Sequence, residues 1–165
     1  RTAESLACIF GAQYRIPITT ARAFTFIGPY QSVDAPWAIN NFIRDAINGN
    51  SIRIRGDGST RRSYLYGSDV AVWLLKIAVA GGNGDIYNVG GGEVISHSEV
   101  AEAVAKLCKN KHDIVFTGQS AVLDRKHDFF PELTYGKSTL NLEQAFNVSL
   151  SLERSIQWHS KKHSE

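Results

Sequence analysis

The stretch "SIRIRGDGSTRRSYLYGSD", residues 51–69, decides how the rest of the chain is read. Ile52 and Ile54 alternate with Arg53 and Arg55, a period of two that predicts a short strand with one apolar face. The strand runs into Gly56-Asp57-Gly58, whose glycines permit tight backbone geometry. Two further arginines, Arg61 and Arg62, follow, then an aromatic patch, then Asp69. Asp69 is placed to cap "VAVWLLKIAVA", residues 70–80, which is apolar almost all round and is expected to be a buried helix.

The same grammar extends in both directions. Upstream, Ala3, Leu6, Ala7, Phe10 and Tyr14 fall at helical spacing, with no cap before them. "IPITTARAFTFIG", residues 16–28, is β-branched and aromatic on both faces, as in a strand buried on both sides of a parallel sheet. Asp34 and Pro36 are placed to open a helix whose stripe is Ile39, Phe42, Ile43, Ala46 and Ile47, with Gly49 ending it. Downstream, Gly81 and Gly82 stop the apolar helix, and "DIYNVGGG", residues 85–92, reads as a strand closing in a glycine turn. Ser96 and Glu99 form a capping box for a helix carrying Val100, Ala103, Val104 and Leu107. "DIVFTG", 113–118, is a strand, 119–137 a loop, and 140–146 and 150–159 two closing helices. The order predicts one α/β unit.

Composition bounds the function. Among 165 residues, 43% are hydrophobic and 21% charged, which is ordinary for a folded domain. A net charge of +2 gives no broad basic field for nucleic acid. No apolar run approaches the roughly 20 residues that span a bilayer. Two cysteines, Cys8 and Cys108, make neither a disulfide framework nor a metal set, so a reducing, cytoplasmic setting is expected.

Three places could carry chemistry. A guanidinium can grip a phosphate through two parallel hydrogen bonds, and Arg62, with Arg61 and Arg55 around the glycine turn, offers several. Tyr64 and Tyr66 could stack a base or sugar; the plainer alternative is a hairpin whose arginines face water. Asn88, before three glycines, offers an amide where a ligand could approach the backbone, or simply satisfies a turn. Arg22, inside an apolar strand, requires an ion pair or the strand's end. His159 and His163 share a helix spacing without a carboxylate to complete a metal site, so a frayed terminal helix is expected. No Gly-x-Gly-x-x-Gly joins a strand to a helix.

Arg22 with Gly28-Pro29, Gly56-Asp57-Gly58 with Arg62, Tyr66 with Asp69, and Tyr87-Asn88-Val89-Gly90-Gly91 keep the order and spacing of a known pattern. Together with the closing "SLERSIQWH", they resemble the C-terminal half of the extended short-chain dehydrogenases/reductases, the NAD-dependent nucleotide-sugar epimerases and dehydratases. The resemblance implies the C-terminal portion of an NAD(P)-binding Rossmann fold: the last strands of its parallel sheet plus the small substrate-binding α/β subdomain. Residues 1–165 would form a single fragment without the N-terminal cofactor-binding half. The family's catalytic Tyr-x-x-x-Lys would lie just upstream, leaving no catalytic residue in this chain.

It further implies that Arg62 contacts the diphosphate and Asn88 the nucleotide. Thr25, Arg55 and Tyr64 would complete the substrate site, and Gly28 and Pro29 would border the cofactor. Thr25 stands where many members carry an asparagine, so the usual amide contact is replaced by a shorter hydroxyl. The expected partner is a nucleotide-diphosphate sugar, with neither nucleic acid nor membrane, in a homo-oligomer. NAD(P) belongs to the parent enzyme, and none is expected on this chain alone. The phrasing around Arg62 leans toward the dTDP-glucose 4,6-dehydratase branch, in deoxysugar or surface-polysaccharide synthesis. A UDP-sugar 4-epimerase and a dTDP-4-keto-sugar reductase are the alternatives. A non-catalytic nucleotide-binding or assembly fragment is the alternative of another class.

Overall fold

The structure, a computed structural model, describes residues 2–108, 113–117 and 128–162. Residues 119–127 of the expected loop, and His163, lie outside them. In chain order the elements are α1 (Thr2–Tyr14), β1 (Thr20–Ala23), β2 (Phe26–Ile27), α2 (Ala38–Ile47), β3 (Ile52–Arg55), β4 (Arg61–Ser63), β5 (Leu65–Tyr66) and α3 (Gly67–Ala80). They continue with β6 (Ile86–Val89), β7 (Val94–Ser96), α4 (His97–Leu107), β8 (Ile114–Thr117), α5 (Thr134–Leu140) and α6 (Val148–Lys162).

The strands make four pairs. Three are parallel: β1 with β6, Thr20 opposite Ile86; β2 with β5, Phe26 opposite Leu65; and β3 with β8, Ile52 opposite Ile114. The fourth, β4 with β7, is antiparallel, Arg61 opposite Ser96. The α/β expectation therefore holds. One core gathers Phe42, Ile52, Ile54, Val100, Val104 and Leu152 from α2, β3, α4 and α6. A second gathers Leu65, Trp73, Ile77, Tyr87, Val89 and Leu142. Each such side chain contributes roughly 1.5–3 kcal/mol on burial.

The capping box is present as expected. Ser96 Oγ accepts from the Glu99 backbone N–H, and the Glu99 carboxylate accepts from the Ser96 N–H. The Ser96 hydroxyl also donates to that carboxylate and holds it below the usual carboxylate range, helped by the backbone bond.

Several expectations are corrected. The stretch 16–28 forms two short strands, and Ala21, Arg22 and Ala23 are exposed, so β1 is not buried on both sides. Asp34 does not cap α2. The capping position is Trp37, without a side-chain bond, and Asp34 lies 3.6 Å from Arg44. α3 is not buried all round either: Trp73 and Ile77 face the core, whereas Val72, Leu75 and Val79 are exposed. The first closing helix spans Thr134–Leu140 rather than 140–146, ended by Asn141 in the left-handed region at φ 50°. His159 is buried rather than frayed, edge-on to Trp158.

Asp69 has a different task from the one expected. It sits inside the first turn of α3, buried, and accepts the backbone N–H groups of Ala145 and Phe146, each at 3.1 Å. It ties the segment before α6 to α3. Asp69→Asn should destabilise the fold by about 1 kcal/mol, because a neutral amide accepts less strongly than a carboxylate. Chemical denaturation reads this directly; an unchanged midpoint would remove the tie.

Candidate substrate-binding cleft

A cleft of about 580 Å³ opens between the start of α2, β3 and β4. It is built by the alternation that opened the reading. Ile52 and Ile54 are fully buried beneath β3, and Arg53 and Arg55 point the other way, into the cleft. The turn beyond them requires glycine. Gly56 and Gly58 have φ of 80° and 75°, and a Cβ on Gly58 would lie 2.0 Å from Ser98 Oγ. Asp57 fixes the turn by accepting from the backbone N–H and the hydroxyl of Ser59.

The turn returns the chain as β4, which divides its two arginines. Arg61 pairs with Asp128 at 2.6 Å, and that bond raises its pKa further. Arg62 lines the cleft; its Nη1 donates to the Arg61 carbonyl at 2.9 Å, and its guanidinium lies 5.9 Å from the Phe129 ring centre. Tyr64 forms an adjoining part of the wall. Burial pushes its hydroxyl up to about 12, against the opposing charge of Arg62, so it stays protonated as a hydrogen-bond donor. Thr25 completes this wall, its carbonyl accepting from Leu65 N–H.

Arg62 and Tyr64 from one segment, Arg55 from β3 and Thr25 from between β1 and β2 thus come together. Asn88, Gly28 and Pro29 do not line this cleft. The Asn88 amide donates to the Glu132 carbonyl at 2.8 Å. The glycines after it admit the protein's own chain: a Cβ on Gly91 would meet the Tyr64 carbonyl oxygen at 2.3 Å, and one on Gly90 would meet Pro131 at 2.8 Å. Gly28 is buried against the Gly67 backbone. Tyr66 is buried against Phe146 rather than open for stacking. Arg22, as required, is paired, with Glu4 at 2.7 Å.

Three cleft residues escaped the sequence reading. Arg53 lies on the outward face of β3, and that face is the cleft wall. Trp37 and His97 belong to no motif. His97 stands at the start of α4, edge-on to Phe42, and burial, with the charge of Arg62, lowers its pKa and favours the neutral ring. Among the described residues no cluster could hold a metal ion, and no helix is long and apolar enough to cross a membrane.

The sequence pattern of the NAD dependent epimerase/dehydratase family matches residues 1–90. A UDP-N-acetyl-alpha-D-glucosaminuronate decarboxylase of Bacillus cytotoxicus is 29% identical over 96% of this chain and 51% of its own length. UDP-glucuronic acid decarboxylase 5 of Arabidopsis thaliana is 29% identical over 87% of this chain and 41% of its own. Among solved structures, dTDP-glucose 4,6-dehydratase from Bacillus anthracis, in complex with NAD, superposes with a TM-score of 0.85 at 23% identity, over 98% of this chain and 50% of that one. UDP-glucose 4-epimerase from Thermotoga maritima, with UDP-glucose, gives 0.88 at 21% identity, over 99% and 52%. At these identities the structural likeness shows the fold. The chain spans about half the length of these relatives or less.

Proposed function

Since the chain belongs to the NAD dependent epimerase/dehydratase family, we propose that its cleft binds the nucleoside-diphosphate moiety of a nucleotide sugar. The chain then acts as the substrate-binding portion, residues 1–165 as one unit, of an NAD-dependent nucleotide-sugar dehydratase, epimerase or decarboxylase. The observation that carries this reading is the convergence of Arg62, Arg55, Thr25 and Tyr64 on one cleft. Cations and hydroxyls suit a doubly charged diphosphate, whatever the net charge of the chain. Asn88 enters only indirectly, by holding the Glu132 carbonyl. A dTDP-sugar and a UDP-sugar are equally compatible with these groups, and relatives of this chain are named for UDP-sugars.

The cleft is assigned binding and no catalytic residue. The sequence contains no Tyr-x-x-x-Lys and no glycine fingerprint. Gly28, expected beside the cofactor, is packed on Gly67. These residues do not by themselves fit a dinucleotide, so no reaction step is derived through NAD.

Calorimetric titration tests the reading. UDP or dTDP should bind the chain with a stoichiometry near one, and uridine at least about tenfold more weakly, because it lacks the charge-assisted contacts. NAD(H) should bind less tightly than either diphosphate. Equal binding of UDP and uridine would remove the diphosphate from this cleft.

A further inference from the structure

We propose that Trp37 is the platform on which the nucleobase of the ligand stacks. The inference rests on the cleft being the nucleoside-diphosphate site and adds the residue that holds the base. Trp37 stands at the capping position of α2, where a short polar side chain would bond the first N–H groups of the helix. It makes no such bond. It belongs to neither hydrophobic core, and it is 56% exposed on the wall of the cleft. An indole placed in this way serves neither the helix start nor the packing of the fold, and the cleft is what it serves.

The other rings on the cleft are engaged within the protein. Phe42 and Tyr64 are buried, and Phe26 packs on the second core. Phe24 and Phe129 stack on each other at 4.6 Å, and His97 sits edge-on to Phe42. The backbone of Trp37 is tied on both sides. Its N–H donates to the Ala35 carbonyl at 2.8 Å, and its carbonyl accepts from the Asn41 N–H at 3.1 Å. A platform whose backbone is held before the ligand arrives loses less freedom on binding. The guanidinium groups on the cleft come instead from β3 and β4. The cleft thus offers a flat aromatic face beside cations, the pair of features that receives a base and its phosphates.

Titration of the 165-residue chain with UDP, followed by tryptophan emission and by calorimetry, tests this. UDP should quench the emission, and inorganic pyrophosphate, which has no base, should not. Trp73 is buried and Trp158 lies against Tyr30, so the quenching should vanish in Trp37→Phe. Trp37→Ala and Trp37→Leu should each weaken UDP binding about tenfold, and Trp37→Phe should stay within about threefold of the parent. The position is exposed and makes no side-chain cap bond, so the three variants should fold, which circular dichroism checks. Equal UDP affinity in Trp37→Ala and the parent overturns the inference while leaving the diphosphate site intact. Quenching by pyrophosphate as strong as by UDP does the same. A leucine that restores binding as fully as phenylalanine shows bulk rather than stacking, and also overturns it. If UDP does not bind the parent chain, the nucleoside-diphosphate reading fails first and this inference with it.

Discussion

Replacing Arg62 by alanine is expected to weaken UDP or dTDP binding by roughly ten- to a hundredfold. A charge-assisted, bidentate contact contributes about 1.5–3 kcal/mol, and Arg62 is the guanidinium that β4 carries into the cleft wall. It is held from two sides: its guanidinium lies over the Phe129 ring, and the Arg61 carbonyl takes one of its N–H groups. The diphosphate therefore meets a cation whose orientation is partly set before binding. Arg62→Lys should recover only part of the loss, because an ammonium keeps the charge and not the fork. Arg22→Ala serves as the control, since Arg22 is held by Glu4 outside the cleft. Titration of UDP against the three variants checks this, with folding confirmed by circular dichroism. If Arg62→Ala binds UDP as the parent does, the diphosphate lies elsewhere.

Gly91→Ala should be the most destabilising of the substitutions considered, at about 3 kcal/mol or more. The added Cβ would fall 2.3 Å from the carbonyl oxygen of Tyr64, 2.7 Å from its carbonyl carbon and 2.9 Å from its nitrogen. These are backbone atoms of a fully buried residue, so no flexible side chain can swing away. The loop after β6 and the segment joining β4 to β5 must separate. The melting temperature should fall by roughly 6–12 °C, and nucleotide binding should fall with it because Tyr64 lines the cleft. Gly92→Ala is the contrast: its Cβ would meet only Leu133 at 3.8 Å and should change stability by less than about 0.5 kcal/mol. A Gly91→Ala protein that melts like the parent would show that the two backbones do not approach.

The elements with strong local signals were legible in the sequence. The period-two alternation of residues 52–55 is β3, the stripe of Ile39, Phe42, Ile43 and Ala46 is α2, and Ser96 with Glu99 opens α4. The strands β4, β5 and β7 were not, because two or three residues cannot display a period. The composition of α3 showed that it is apolar without showing which face is covered. Its cap was misplaced because an aspartate in the first turn and one at the cap look alike in sequence, and only the tertiary partners Ala145 and Phe146 separate them. For the cleft, Arg62, Arg55, Thr25 and Tyr64 were reached through spaced motifs. Trp37 and His97 carry no motif and meet the others only through the packing of α2 and α4 on β3. Arg53 carries no motif either, and sequence does not tell a strand face open to water from one that walls a cleft. For the glycines after Asn88, sequence left a ligand and a plain turn open, because it does not say whose atoms come close.

The pairing of strands also sets an order on synthesis. β1, β2 and β3 all precede the partners they lie beside: Thr20 waits for Ile86, Phe26 for Leu65, and Ile52 for Ile114. A chain emerging from the ribosome therefore holds these edges open while later residues are made, β1 and β3 for longer than β2. The closure of such distant ends makes folding slower than local helix pairing would be. Ile52 and Ile54 are meanwhile exposed on an unpaired strand, which is the geometry that chaperones bind and that other nascent chains can add to. The charged face of β3 guards against this before it ever meets a ligand, since Arg53 and Arg55 repel a second copy of the same edge.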